Sequence, residues 1–584
     1  MAQRLPDFAV TNFAGLVRDK SDFEMERNEF KNTLNFDLDE KGRLKRRRGS
    51  YQYGDTKAGK IFDDSYVYFD RDSGNQIVNH LVVSRESNGV LYRIEHTYLS
   101  NAITTATTTI DVPGNGAFAV SGTIEIEGDL IAYTGNNGTQ FTGVTGIRVS
   151  HPANAPVSQW VSIGNTGLDT RSGVYFTVIN DRLIINGRVG SATFDGTSIA
   201  AITDADEAGG IFAKTYRNRM YVAGSSVADG SGTRNGSGIR VSFSSAGDAT
   251  AWDLNDFFDV EDDSGELITG LDVGRDILLI FKFNSIFTYD EVELKQRVYG
   301  AGAYNNKVIK KIDGLFYTFS PAGVHVTNGF SSKKISDPID EYLMNFRPKY
   351  DSTSGRVVDN CFAGIYQKKY FLYIGNITDP EVLSDVVLVY DTVSKNWTVY
   401  SGFTNFTHFG SFFNFGTGGA ASTTGLGVQS IEAFFAGSSD GKYYRLFEDT
   451  FYMVGSTTSR GGDIWPNLIS DSAGSGVSTK ALTKWFDIGN PSWMKQISYF
   501  RMLVETGEFN VVYRIDQGSK ITEWTPLGEY KTTNQRKALK AKINQGYRIQ
   551  FEITSNSVDH SCILNGFIAE EIEALSKKDY RYAG

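Results

Sequence analysis

Three stretches concentrate residue types that could do chemistry. "DVEDDSGE" (259–266) packs five acids into eight residues. Calcium needs several carboxylate oxygens on a tight turn, but this spacing misses the Asp-x-Asp-x-Asp-Gly order by one residue, so a solvated turn before the strand "LITGLDV" competes with a metal loop. The six histidines (80, 96, 151, 325, 408, 560) are scattered, and none stands at ligand spacing from another His or from Cys361 or Cys562. The third stretch is basic: residues 41–48 place six cationic side chains in eight positions of a chain whose formal net charge is −10.

That basic run reads as the return strand of a hairpin within "LNFDLDEKGRLKRRRGSYQYG" (34–54). "NFDLD" is one strand, "EKG" the turn and "RLKRRRG" the other strand. Asp37 and Asp39 can then face Arg43 and Lys45, where opposite charges contribute about 0.2–1 kcal/mol per pair. Arg46, Arg47 and Arg48 are left without local partners. Two uses follow: a solvated edge kept soluble by charge, or a docking edge (Arg43, Lys45, Arg46, Arg47, Arg48) for an acidic neighbour or for phosphate. A docking edge predicts that reversing the three arginines to Glu spares the fold and impairs assembly.

No other stretch signals a reaction. "SFSSAGDATAWD" (242–253) has the ingredients of the Asp box of sialidase-type propellers, but Gly247 precedes Asp248 where the box needs the reverse. Its Ser and Trp are expected to form a turn and a core anchor. The chain has neither a phosphate-cradling Gly loop nor a Gly-x-Ser-x-Gly elbow on a strand–helix turn. No catalytic residue, metal ligand or cofactor is therefore assigned, and the chain is not expected to be an enzyme.

The elements that must position these residues are strands. Tyr and Phe together number 69, Gly 61 and Pro only 11, the mixture of Gly-punctuated aromatic strands. Helical periodicity is confined to "PIDEYLMNF" (338–346) and "AEEIEALSKK" (569–578). Elsewhere hairpins recur. "FTVINDRLIINGRVGSATFDG" (176–196), "FAKTYRNRMYVAGSS" (212–226) and "FAGIYQKKYFLYIGN" (362–376) share a strand, a polar turn and a large apolar run. In "VLVYDTVSKNWTVYSG" (387–402), Asp391 begins a turn and Trp397 packs back, much as in kelch-type blades. The expectation is an all-β chain: a degenerate β-propeller of about seven blades, residues 61–100 and 163–450, preceded by an N-terminal arm and basic hairpin (1–60). Residues 101–162 read as a small β module inserted between the first and second blades, 451–480 as a linker, and 481–584 as a C-terminal β-sandwich.

Two distant cysteines form no disulfide framework, which points to folding in a reducing compartment. The N-terminus "MAQRLPDFAV" lacks the apolar core of a signal peptide, and the longest apolar runs, such as "ILLIF" (277–281), are far too short to span a membrane. An acidic balance argues against a general duplex-DNA binder.

The N-terminal series carries a resemblance. "NFAGLVRDK" (12–20) and "FEMERNEFKNTLNFDLDEKGRLKRRRGSYQYG" (23–54) contain an early Asn-x-x-Gly-Leu segment, a Glu-x-x-Asn step, an Asn opening a strand and a Gly-x-Leu-x-x-Arg-x-Gly return strand. This pattern resembles the tail nozzle (tail tubular protein B-like) and packaged-DNA stabilisation proteins of short-tailed bacteriophages. "SGTIEIEGDLIAYTG" (121–135) with "FTGVTG" (141–146) looks like a small β module of phage structural proteins, and "TKWFDIGNPSWMKQISYFRMLVET" (483–506) like the family's C-terminal platform. Here the return strand runs Arg46-Arg47-Arg48-Gly49, a departure from the family's single Arg.

The resemblance implies a structural virion protein in the phage tail, synthesised and assembled in the bacterial host cytoplasm. It implies a homo-oligomeric ring, commonly a hexamer, below the portal and adaptor and in contact with other tail proteins (fibres or tail tip). Double-stranded DNA would be retained by the ring and then conducted through it without sequence-specific binding. An acidic lumen would let phosphates slide. Which residues face DNA is not legible. The alternative is a glycan-binding or glycan-cleaving propeller acting as a receptor-binding tail protein.

Overall fold

The computed structural model describes residues 3–70, 77–170, 173–187, 190–204, 207, 210–224, 238–260, 265–350, 360–378, 383–403, 405–415, 430–447, 477–488, 492–531, 539–555 and 562–575. The described residues are almost wholly strand and form a seven-bladed β-propeller joined to a β-sandwich.

Each blade is a four-stranded antiparallel sheet. Blade 1 is built from Phe62–Asp70, Ile77–Ser84, Val90–Tyr98 and Pro156–Asn165. Blades 2 to 6 begin at the inner strands Tyr175–Ile179, Phe212–Tyr216, Gly270–Val273, Lys310–Ile312 and Phe362–Tyr366. Blade 7 takes Phe406–Phe415, Ser430–Ser438 and Tyr443–Leu446 from late in the chain, and its outer strand is Ser50–Gln52. The N-terminal segment therefore closes the ring, which leaves that sheet edge paired instead of open.

The repeated polar turns have a common cause. Asn180-Asp181, Arg217-Asn218 and Gln367-Lys368 all hold two consecutive positive φ angles, between 42° and 61°. Two such residues make the tight turn whose twist matches that of the flanking strands. In each case the turn joins the inner strand of a blade to its second strand. The apolar runs after the turns then fill the seams between blades. Ile184, Met220, Val222 and Trp252 lock blades 2 and 3, and Phe371, Phe409 and Phe434 lock blades 6 and 7. Trp160, Phe435 and Tyr443 close blade 7 on blade 1, with Trp160 and Tyr443 edge to face at 5.2 Å. Trp252 is the core anchor expected of it, and Asp391 caps its turn by accepting from Val393 N at 2.8 Å. Trp397 is buried, its indole N–H donating to Ile335 O at 2.7 Å.

Several boundaries differ from the expectation. Pro156–Asn165 is the fourth strand of blade 1, pairing Tyr98 with Pro156 and Ile94 with Trp160. The inserted module thus lies inside blade 1, between its third and fourth strands, and has its own core from Leu99 to Val157. Its hairpin Gly122–Ile126/Asp129–Tyr133 extends the blade sheet through Glu125 and Ile126. "AEEIEALSKK" is not a helix over its described part: Ile563–Leu575 is one long strand, burying Phe567, Ala569, Ile572 and Ala574 with a positive φ at Glu571. Thirteen residues of partner strand, Met494–Thr506, outweigh its helix propensity. "PIDEYLMNF" contains one short helix, Asp340–Leu343, after a 3-10 turn. Most of the expected linker lies outside the described residues.

The sandwich is built from both chain ends. One of its sheets contains Thr479–Thr483, Arg548–Ser555, Glu508–Asp516 and Thr525–Lys531. The N-terminal strand Glu29–Leu34 joins that sheet to blade 6, pairing antiparallel with Thr479–Thr483 and, through Leu34, parallel with Val399. The facing sheet centres on Ile563–Leu575, one edge of which is lined by Gln3–Leu5, Phe8–Thr11 and the hairpin Phe36–Leu38/Leu44–Arg46. Phe36, Leu44, Phe500, Phe551 and Phe567 fill the space between the sheets.

Candidate functional site: the basic seam and the propeller axis

The basic run forms the hairpin read from sequence. Asp37 pairs with Lys45 across it, and Arg43 Nε meets Asp39 Oδ2 at 2.5 Å. Arg43 Nη1 also reaches Glu505 at 2.5 Å, and hydrogen bonds to Glu505 and Asp39 raise its pKa. Asp37 accepts Lys369 Nζ of blade 6 at 2.5 Å.

The hairpin does not project outward as a free edge. Strand alternation sends Leu44 and Arg46 to the same, inward face, and Arg46 and Arg47 are only 2% and 3% exposed. Arg47 is the side chain that fastens the propeller to the sandwich. Its Nε donates to Asn35 Oδ1 at 2.7 Å, its Nη2 to Ser401 O at 2.9 Å, and its guanidinium stacks on Phe403 at 4.3 Å. Burial lowers the pKa of Arg46. The expected docking edge is corrected accordingly: Arg46 and Arg47 are buried, Arg43 is half-buried, and Lys45 and Arg48 are half-buried at a cleft of about 70 Å³ with Lys369, Tyr366 and Phe447.

Each element of the N-terminal signature has a place in this joint. Asn12 and Gly42 both have positive φ, and Phe13 N donates to Gly42 O between them at 2.7 Å. Asn28 Nδ2 donates to Asn12 O at 2.8 Å. Leu16 is buried in the propeller core, whereas Leu44 is buried in that of the sandwich. Glu29 accepts from Lys20 and from Glu26 N, and Asn32 is fully buried. Asn35 also donates to Ser478 O at 2.8 Å.

The second site is one that sequence reasoning missed. A cavity of about 240 Å³ lies where the inner strands of all seven blades converge, bordered by Asp64, Lys214, Asp272, Lys307, Lys310 and His408. Asp63, fully buried beneath it, is a hub. It accepts Arg85 Nε at 2.8 Å, Lys307 Nζ at 3.3 Å and Val174 N at 2.8 Å. Burial works against its charge, but Arg85 and Lys307 more than offset this and hold its pKa at about 2. Asp64, lacking such partners, is pushed up by burial to about 6. Lys214 pairs with Asp272 at 3.1 Å. These residues come from strands tens to hundreds of positions apart. The one legible signal was the polar residue placed early in several inner strands.

Two further clusters hold histidines. His80 and His96 sit with Tyr53 and Trp160 beside the blade 7–blade 1 seam, His96 Nε2 lying 2.9 Å from Tyr53 Oη and His80 Nε2 3.2 Å from Tyr443 Oη. Burial lowers His408 to about 3 and His80 well below its ordinary value. In the module, His151 lies 2.9 Å from Glu127 and 3.4 Å from Asp129. Burial opposes its charge, but the two carboxylates outweigh it and raise His151 to about 8. Among the described residues no three His, Cys, Asp or Glu side chains are arranged to hold a metal ion. Of the acidic stretch 259–266, residues 261–264 lie outside the described residues; Asp259 pairs with Arg240 at 2.8 Å, and Glu266 accepts from Asn284. Cys361 and Cys562 are buried in different cores.

No family model and no curated protein matches the chain. Among solved structures it is similar to BamB from Moraxella catarrhalis, at 11% identity over 70% of this chain and 98% of that one, with a TM-score of 0.31. It is likewise similar to the Neurospora crassa Pan2 WD40 domain, at 11% identity over 60% of this chain and 90% of that one, with a TM-score of 0.27.

Proposed function

We propose that this chain is a structural, non-enzymatic subunit of a short-tailed phage tail. It forms a nozzle ring, six copies by analogy with the family it resembles, below the portal and adaptor. The ring retains packaged DNA and conducts it into the host at ejection. The observation that carries this reading is the N-terminal signature. Its residues are the parts of one mechanical joint, in which a single N-terminal segment enters the sandwich, pairs with blade 6 and closes blade 7. A conduit that must withstand packaged DNA benefits from a rigid link between its ring-forming body and its platform. The acidic balance of −10 per chain further favours a lumen past which phosphates slide.

Negative-stain imaging of the purified chain, alone and with tail-less DNA-filled particles, tests the proposal. Closed rings that seat on the particle vertex are the expected result. Monomers or trimers that bind or hydrolyse glycans, and that ignore the particles, would replace it with the receptor-binding reading.

A further inference from the structure

The axial cavity has unused polar capacity. Lys307 and Lys214 are committed to Asp63 and Asp272. Lys310 feels the charge of Asp64 more strongly than that of any other group, yet forms no direct ion pair with it. The Asp64 carboxylate accepts only the neighbouring Ser65 N, at 2.8 Å. Burial penalises the charges of both Asp64 and Lys310. Nothing in the propeller scaffold requires this arrangement, since a ring axis can be filled with apolar side chains.

We propose that the propeller axis is a binding site for a small zwitterion of the α-amino-acid type, its carboxylate on Lys310 and its ammonium on Asp64. The opposite charges that blades 1 and 5 bring to one cavity select a ligand with both groups. A ligand with only one would leave the other protein charge unanswered. Leu271, Ile309 and Ile365 line the same cavity and can take a small apolar side chain. At about 240 Å³ the cavity lies below the usual range for drug-sized ligands, about 300–1,000 Å³, which suits a molecule of amino-acid size. This site is independent of ring assembly.

The test is ligand-observed NMR and calorimetry on the full chain with L-leucine, glycine, 4-methylpentanoate (no amine) and 3-methylbutylamine (no carboxylate). L-leucine or glycine is expected to bind at least tenfold tighter than either single-headed analogue. Lys310→Met and Asp64→Asn should each weaken that binding at least tenfold while leaving the circular dichroism spectrum unchanged. If a variant fails to fold, the wild-type comparison among the four probes decides alone. Equal binding of 4-methylpentanoate and L-leucine would overturn the proposal in favour of a plain anion site. Absence of binding by both zwitterions at 10 mM, a concentration on the order of the weakest useful affinities, would overturn it outright.

Discussion

Arg47 Nε donates to Asn35 Oδ1 at 2.7 Å, and that same oxygen accepts Ser401 N at 3.0 Å. One amide group thus ties the basic hairpin to the end of blade 6. Asn35 can hold this position because it adopts φ 56°, a left-handed conformation that Asn tolerates better than most residues. Removing Arg47 takes the guanidinium donor from Ser401 O and leaves Asn35 Oδ1 with Ser401 N alone in a buried seam. Arg47→Ala should therefore destabilise the chain by about 3 kcal/mol, and Arg47→Glu by more. Asn35→Ala should be similar, and the double variant should be far from additive because both act on one network. Urea denaturation measures this; an Arg47→Ala change within 0.5 kcal/mol of wild type would show that the joint does not depend on it.

The half-buried cations are a separate matter. Arg43→Glu with Lys45→Glu leaves the Arg47 latch intact. If these residues dock an acidic neighbour, recruitment to tail-less particles should fall at low salt, with a melting temperature lowered by only a few degrees. Normal recruitment at both low and moderate salt would assign these residues to the subunit's own fold.

Acid and base should attack different parts of the molecule. His80 and His408 have depressed folded-state values, so the fold binds fewer protons there than the unfolded chain. Stability at the blade 7–blade 1 seam is intact above about pH 6.5 and declines as pH falls below it and the buried His80 and His408 take up protons. His151 has the opposite sign. Its contribution is full below 6.5 and is lost as pH rises through about 8. Hydrogen exchange at pH 5, 7 and 9 should show the seam loosening at the acid end and the module at the basic end. Uniform protection across the three would refute the assignment.

The module should be removable at the right boundary. Tyr98 and Pro156 are paired neighbours in blade 1, so replacing 99–155 with a two-residue Asn-Gly turn preserves all four strands of the blade. Excising 101–162 instead removes Trp160, whose backbone N–H donates to Asp55 at 2.7 Å and whose indole donates to Tyr53 O at 3.0 Å. The first deletion should melt cooperatively near the wild-type temperature, and the second should aggregate. Aggregation of both would mean that the module supports the propeller.

Gly54 and Gly59 form a controlled pair. Both have positive φ, 77° and 74°. A Cβ on Gly54 would lie 2.5 Å from Trp160 Nε1, whereas at Gly59 it would meet nothing within 4 Å. Gly59→Ala should cost about 1 kcal/mol, from backbone conformation alone. Gly54→Ala should cost about 3 kcal/mol, because the seam around Trp160 must also move. Equal costs in thermal melts would place the seam's tolerance well above that of a close-packed core.

Local chemistry carries the parts of this protein that are legible in its sequence. The strand class follows from Gly-punctuated aromatic runs, the blade hairpins from polar pairs such as Asn180-Asp181 that take positive φ, and the Asp37–Lys45 and Asp39–Arg43 pairs from period-two alternation. Each depends on residues a few positions apart. What only the tertiary structure decided depends on partners far along the chain. Arg46 and Arg47 look like a surface charge run, yet they are interior because blade 6, more than 350 residues later, brings Ser401 over Arg47. Ile563–Leu575 reads in part as a helix, yet it is a strand because Met494–Thr506 offers it a full-length edge. The axial cavity leaves only a polar residue early in several inner strands as its trace in the sequence, because each blade contributes at most a few of its residues and ring closure alone brings them together. Long-range pairing and burial repay the cost of ordering the chain only once those partners meet, and no local pattern of residues records them.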